Sequence, residues 1–214
     1  MNHVELTPEL ILQAYANGVF PMAESREDES LFWVDPRERG IIPLDGFHIS
    51  RSLARLIRQD SYCITFDQDF IGVMQGCADR DETWINDIIF DLYTELHEMG
   101  FGHSVELWDG DRLVGGTYGL ALGTAFFGES MFSRVPSASK IVLAYLVAHL
   151  KRCAFTLFDT QFLTEHLASL GGQEIPRAEY RTLLSKALTT RADFTAHADP
   201  LTPQEVLQLR GQMS

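Results

Sequence analysis

Residues 102–134, GHSVELWDGDRLVGGTYGLALGTAFFGESMFSR, decide the fold class. Strand-forming runs at His103–Trp108 and Arg112–Ala121 flank the turn Asp109-Gly110-Asp111, so together they read as an antiparallel hairpin. A third strand, Thr124–Glu129, follows Gly123. Upstream, Ile85, Ile88, Ile89, Leu92, Tyr93 and Leu96 recur at helical spacing until Gly100 stops them. Before that helix the pattern gives a helix near Asp69–Cys77, a strand at Tyr62–Phe66 and a helix bearing Arg51, Arg55 and Arg58. Downstream, Ser137 or Ser139 caps a helix reaching about Arg152. A strand at Phe155–Asp159 and short helices at Glu165–Leu170 and Arg177–Ala187 follow, with Thr202-Pro203 opening one more in the tail. Helices, an antiparallel meander, then helix, strand and helix make an α+β protein with a mostly antiparallel sheet and no doubly wound parallel series.

The first 46 residues are built differently. Thr7-Pro8-Glu9 ahead of Leu10, Ile11 and Tyr15 predicts a short helix ending at Gly18, and Val19–Gly46 is broken by Pro21, Pro36 and Pro43 into turns and brief strands. The expected organisation is therefore a small N-terminal domain over 1–46, a main domain over 47–190 and a tail over 191–214. No basic segment leads into an apolar stretch, and no run approaches the roughly 18 apolar residues of a membrane span. A cytoplasmic protein without membrane contact is expected. Cys63, Cys77 and Cys153 lack paired metal or redox spacing, and the histidines are scattered, so no metal and no cofactor are predicted.

A net charge of −13 excludes a general nucleic-acid coat, which leaves any RNA contact local. Arg51, Arg55 and Arg58, spaced four and three apart, share one helical face that serves either as a solvated surface or as such a contact. Two strand ends are the places for chemistry. One delivers Glu129, Ser130, Ser133 and Arg134 beside apolar side chains, where Glu129 pairs with Arg134 or faces a ligand. The other places Asp159 and Gln161 on one side, either to satisfy a turn or to hydrogen-bond one ligand. Ser130 and Ser133 lack a nucleophile elbow. Trp33 and Trp84 are core residues or the walls of a cleft for a flat ring.

Read in order, these segments resemble the leucyl/phenylalanyl-tRNA–protein transferase family from about Leu10 to Leu188. The resemblance is carried by Asn17-Gly-Val-Phe-Pro21, Trp33, Phe47-His-Ile-Ser-Arg51-Ser52, Glu82-Thr-Trp-Ile85, Gly102-His-Ser-Val-Glu106 and Trp108. It continues through Leu113-Val-Gly-Gly116, Tyr118-Gly119, Phe127-Gly-Glu-Ser-Met-Phe-Ser-Arg134, Ala138-Ser-Lys140, Asp159, Gln161, His166, Ser169-Leu-Gly171 and Glu174-Ile-Pro-Arg177. It implies a GNAT-like acyltransferase domain, leucyl- or phenylalanyl-tRNA as donor, and a protein beginning with Arg or Lys as acceptor, marked for degradation by a monomeric enzyme. It also implies an apolar pocket from Phe126, Leu143, Leu146, Leu150 and Phe158 beneath Thr117, with Ser130 nearby, Trp33 and Trp84 at the terminal adenosine, and tRNA on Arg51, Arg55 and Arg58. Thr117 and Leu146 stand where some relatives carry methionine and phenylalanine, so the pocket size differs. Asp159, Gln161 and Glu129 would be catalytic: Asp159 orients Gln161 towards the amine, and Glu129 holds the cationic acceptor end. A coenzyme-A-dependent N-acyltransferase is the alternative enzyme, but the glycine-rich pyrophosphate turn is missing after Glu129.

Overall fold

The computed structural model describes residues 6–26, 28, 30–81, 83–197 and 199–208. Glu82 of the string Glu82-Thr-Trp-Ile85 lies outside them, as do the first five residues and the end of the tail. Thr7 accepts a hydrogen bond from the Leu10 amide and Pro8 takes the first helical position, starting α1 (Pro8–Ala16) where the sequence places it. A hairpin of β1 (Phe20–Met22) and β2 (Phe32–Val34) precedes β3 (Glu38–Ile41). Ser50 caps α2 (Arg51–Gln59), which buries Leu53, Ala54 and Ile57 and leaves Arg51, Arg55 and Arg58 exposed. Next come β4 (Cys63–Phe66), α3 (Phe70–Ala78) capped by Asp69, and α4 (Asp87–Glu98) capped by Asn86.

The meander is β5 (Gly102–Asp109), β6 (Arg112–Leu122) and β7 (Ala125–Ser133), after which α5 (Ala138–Arg152) crosses over to β8 (Leu157–Gln161). The chain ends with α6 (Glu165–Ala168), β9 (Gln173–Pro176), α7 (Arg177–Ala187) and α8 (Pro203–Leu207), the last held by a capping box between Thr202 and Glu205. Seven strands form one sheet in the order β4-β5-β6-β7-β8-β3-β9, antiparallel throughout except for β7 with β8. The parallel pair requires a crossover, and α5 supplies it.

Two cores flank the sheet. One gathers Leu53, Ile57, Phe126, Leu143, Phe158 and Val206; the other gathers Ile11, Tyr15, Val73, Ile89, Tyr93, Phe127 and Tyr180. Burying each phenylalanine contributes roughly 2–3 kcal/mol. Every residue of α5 from Ile141 to Leu150 is buried, so this helix is apolar nearly all round. The N-terminal stretch is woven into both: β3 lies between β8 and β9, and Ile11, Tyr15 and Phe20 share a core with α4 and α7. The expected boundary at Gly46 therefore does not separate two cores. Among the described residues no helix is long and apolar enough to cross a membrane.

Three local expectations shift. Ser137 stands at the start of α5 in a left-handed conformation and makes no capping bond; instead the Ser133 hydroxyl accepts from the Ser139 amide at 3.0 Å. β8 begins two residues late, because the Phe155 and Thr156 amides are taken by Leu150 and Thr124 carbonyls before pairing with β7 begins at Leu157. β7 runs past Glu129 to Ser133. Tyr118 pairs with Ser130 and Gly119 with Gly128, so Glu129 is an extra residue, a bulge in β7. Opposite the bulge the backbones close in on Gly119, where a Cβ would overlap the Phe127 carbonyl oxygen and lie 2.6 Å from the Phe126 ring. Gly119→Ala is expected to cost about 1–3 kcal/mol, measured by urea denaturation; an unchanged midpoint would contradict this packing.

Candidate active site

β7 and β8 pair only from Ala125 opposite Leu157 to Phe127 opposite Asp159. Beyond that they part, and the gap opens into a cavity of about 340 Å³. Gly128, Glu129, Ser130 and Met131 form one wall and Phe158, Thr160 and Gln161 the other, with Thr117, Leu143, Thr164, His166 and Leu167 contributing to the lining and Arg80, Trp84, Met22 and Phe162 completing it. Splayed parallel strands with a bulged edge thus create a cleft whose apolar lining carries a few fixed polar groups, the usual make-up of a ligand site.

Asp159 does not face this cleft. It is fully buried, and Arg39 donates to it from Nε at 2.9 Å and Nη2 at 2.7 Å, Tyr180 from its hydroxyl at 2.6 Å and Gln161 from its backbone amide at 2.8 Å. The remaining Arg39 nitrogen donates to the Gly18 carbonyl at 3.1 Å, and the guanidinium lies between the rings of Phe20 and Tyr180. Burial first, and the charge of Asp159 next, keep the Tyr180 hydroxyl protonated far above its ordinary range, so it remains a donor. Of the two sequence alternatives for Asp159, the geometry takes the first: its carboxylate satisfies the turn through the Gln161 amide, and its oxygens are occupied by the protein itself. What Asp159 fixes is the backbone of Gln161, held at φ 63°, a left-handed conformation costly for a residue with a side chain. Gly40 pairs with Gln161, and a Cβ there would lie 2.6 Å from the Phe162 carbonyl carbon, so only glycine lets this turn cross β3.

The turn aims the Gln161 side chain at Glu129, whose Oε2 accepts from Gln161 Nε2 at 2.9 Å. Tyr15 donates to Oε1 at 2.6 Å and Tyr93 to Oε2 at 3.3 Å, and the two phenols lie 2.5 Å apart. Glu129 is thus cradled by α1, α4 and β8, and the sequence alternative of a Glu129–Arg134 pair is not realised: Arg134 lies 3.7 Å from Asp79. Burial pushes the Glu129 carboxyl up to about 7; the donations from Tyr15 and Gln161 pull it down, and the charge of Asp159 adds to the rise. A carboxyl that titrates near neutrality inside a cleft is suited to exchanging a proton with an amine. Gln161 Oε1 carries no partner among the described residues. Because an ionised carboxylate only accepts, Nε2 must face Glu129, which turns this oxygen away from it.

Family models match most of the chain: the leucyl/phenylalanyl-tRNA protein transferase model over residues 41–185 and the model of that transferase's N-terminal domain over 4–37. The chain belongs to the leucyl/phenylalanyl-tRNA protein transferase family. A leucyl/phenylalanyl-tRNA–protein transferase of Ruegeria sp. (strain TM1040) is 62% identical over 98% of this chain and 99% of its own length. One from Dinoroseobacter shibae is 57% identical over 94% of this chain and 90% of its own. Among solved structures the chain is similar to FemX, with a TM-score of 0.50 and 11% identity, covering 83% of this chain and 65% of that one. That likeness concerns the fold alone.

Against the transferase family's expected residues, the cleft brings together Glu129, Gln161, Ser130, Thr117, Leu143, Phe158 and Trp84. Phe126, Leu146 and Leu150 are buried in the core that Leu143 and Phe158 share and do not line the cavity. Trp33 is 42% exposed on the β1–β2 hairpin; its strand partner is Pro21, and the next residue, Met22, is the one that reaches the cavity. Arg51, Arg55 and Arg58 lie on α2, outside the cavity lining. Sequence reasoning missed Arg39, Tyr15 and Tyr93, whose partners are 120, 114 and 36 residues away. It also missed Arg80, which donates to the Ser130 hydroxyl at 2.7 Å and is the cation among the described lining residues. Only its place just ahead of the Glu82-Thr-Trp-Ile85 string hinted at it.

Raised from 4.5 to about 7, the Glu129 carboxyl stabilises the fold fully below its unfolded value, and that contribution is lost as pH rises through about 7. Glu129→Gln removes the titration. The variant should therefore gain stability relative to the parent between about pH 4.5 and 7, with a constant difference above, in denaturation curves across pH. A difference independent of pH would mean that Glu129 titrates like an exposed carboxylate.

Proposed function

We propose that this chain transfers leucine or phenylalanine from aminoacyl-tRNA to the α-amino group of a protein beginning with Arg or Lys, as a cytoplasmic monomer. The observation that carries the reading is the pairing of an apolar cavity with Glu129 and Gln161 in its wall. Leu143, Phe158 and Thr117 suit the donor's side chain, and Trp84, with Trp33 on the neighbouring hairpin, suits the terminal adenosine. Arg80 suits the phosphate preceding it. The splayed pair β7–β8 and the bulge at Glu129 support a GNAT-like fold for the main unit over 47–190; the stretches 1–46 and 191–214 are units of sequence, since β3 shares the sheet with β8 and β9.

An aminoacyl ester is already activated, so positioning and proton transfer are the main tasks. The α-ammonium of the acceptor, with an ordinary pKa near 8, gives a proton to Glu129, whose charge also favours the cationic acceptor end. Gln161 Oε1 accepts from an amine N–H and orients the lone pair at the ester carbonyl. As the C–N bond forms and the ester C–O bond breaks, the ribose oxygen leaves and takes up the proton released by the amine. Gln161 is an orienter, since a side-chain amide is a very poor base. Asp159 acts through the Gln161 backbone and touches no substrate.

The direct test incubates the protein with labelled leucyl-tRNA and an Arg-starting peptide bearing a free or an acetylated N-terminus. Label is expected on the free peptide alone; label on neither would sink the proposal. Gln161→Ala should lower kcat roughly 10- to 100-fold with little change in donor KM. An unaltered kcat would remove Gln161 from the mechanism. Neutralising Arg51, Arg55 and Arg58 together should reduce the slope of log K for tRNA against log salt by about 2–3. The same slope in parent and variant would move the tRNA path to another surface.

A further inference from the structure

The tail beyond α7 is drawn across the α5 side of the sheet by specific contacts. The Ala192 amide donates to the Gly123 carbonyl at 2.9 Å, and His149 Nε2 lies 2.7 Å from the Phe194 carbonyl oxygen. That oxygen can only accept, so His149 carries its proton on Nε2 and leaves Nδ1 to accept from Arg152 Nη2 at 3.1 Å. Burial holds this imidazole near a pKa of about 4, so it stays neutral and the clamp is the same throughout the neutral range. The clamp sets the ring of Phe194, 2% exposed, against five aromatic neighbours, one of them Phe155, met edge-on at 6.3 Å. It stacks on His103 with centroids 4.4 Å apart and on Phe126 at 5.6 Å with planes 21° apart, and meets His149 and Phe66 edge-on.

Phe126 is the link to the cleft. Its ring meets Phe158 edge-on at 5.8 Å, and Phe158 lines the cavity. Phe158, Phe126 and Phe194 thus form a row of rings running from the cavity wall to the tail. Close packing leaves Phe126 no room to retreat while Phe194 stands behind it. Phe194 lies beyond residue 185, where the family's main model ends, and 35 residues after Asp159 in sequence.

We propose that Phe194 is a positioning residue that sets donor specificity: by backing Phe126, the tail fixes the depth of the amino-acid pocket and so the balance between leucine and phenylalanine. This rests on the transferase reading above. A pocket wall that yields by the volume of a few methylenes gains more for the larger side chain, and such differences are worth about tenfold or more in kcat/KM. Weakening the backing therefore favours phenylalanine.

The experiment measures kcat/KM for leucyl-tRNA and phenylalanyl-tRNA on one Arg-starting peptide. Phe194→Leu is expected to raise the phenylalanine-to-leucine ratio about five- to tenfold. Adding Phe194→Leu to Phe126→Leu should shift the ratio no further, because the ring being backed is gone. Val206→Ala, a void in α8, controls for general loosening of the tail and should lower both donors alike. If Phe194→Leu does not fold, Phe194→Met carries the test, since it keeps most of the volume but yields more easily; the ratio should move the same way. Equal losses for both donors, or the same ratio shift from Val206→Ala, would overturn the inference while leaving the transferase reading intact. A parent protein that transfers neither amino acid would remove that reading and this inference with it.

Discussion

The buried ion pair of Arg39 and Asp159 is the constraint on which the rest of the site depends. Two opposite charges taken out of water are tolerable only when every donor and acceptor is satisfied, and here Tyr180, Gly18 and the Gln161 amide complete the set. The consequence is geometric. β3 must lie beside β8 to bring Arg39 to Asp159, Gly40 must follow it so that the chain can turn over β3, and Gln161 is forced into a left-handed conformation that delivers its amide to Glu129. Removing either charge would strand the other in the interior, so the pair holds the fold and the site by the same bonds.

Glu129 has the opposite character. Its partners are two phenols and an amide, all neutral, so its charge is shared by hydrogen bonds and no cation among the described residues contacts it. One carboxylate of the site is therefore a fixed anion locked to arginine, while the other is poised to change state near neutrality. Tyr15 comes from the first helix and Tyr93 from the fourth, so the poise of Glu129 depends on packing between segments far apart in the chain.

Much of the fold was legible because its signals are local. The β5–β6 hairpin follows from alternation around Asp109-Gly110-Asp111, α7 spans the predicted Arg177–Ala187, and Thr7 and Thr202 open their helices as the sequence indicates. What alternation could not reveal is where pairing starts and stops, hence the late start of β8 and the continuation of β7 through a bulge. The site divides the same way. Side-chain parity put Asp159 and Gln161 on one side, and the family's strings brought in Glu129, Trp84 and the pocket residues. The partner that takes Asp159 out of play sits in a stretch that reads as turns and brief strands, and nothing in the spacing of Arg39 announces a contact 120 residues away.

The bulge in β7 has a further effect on how this protein can change over time. Before it, Phe126 points into the core beneath α5 and Phe127 into the opposite one; after it, odd-numbered Met131 packs on the first core and even-numbered Phe132 in the second. One extra residue has inverted the numbering of inside and outside for the remainder of the strand. A lineage that lost Glu129 would regain regular alternation and keep Met131 and Phe132 in their layers, because the bulged residue is the one that the ladder leaves unpaired. The two cores hold the strand on either side of the bulge without requiring it, so the carboxylate of the cleft stands on a residue that strand pairing leaves free to be lost.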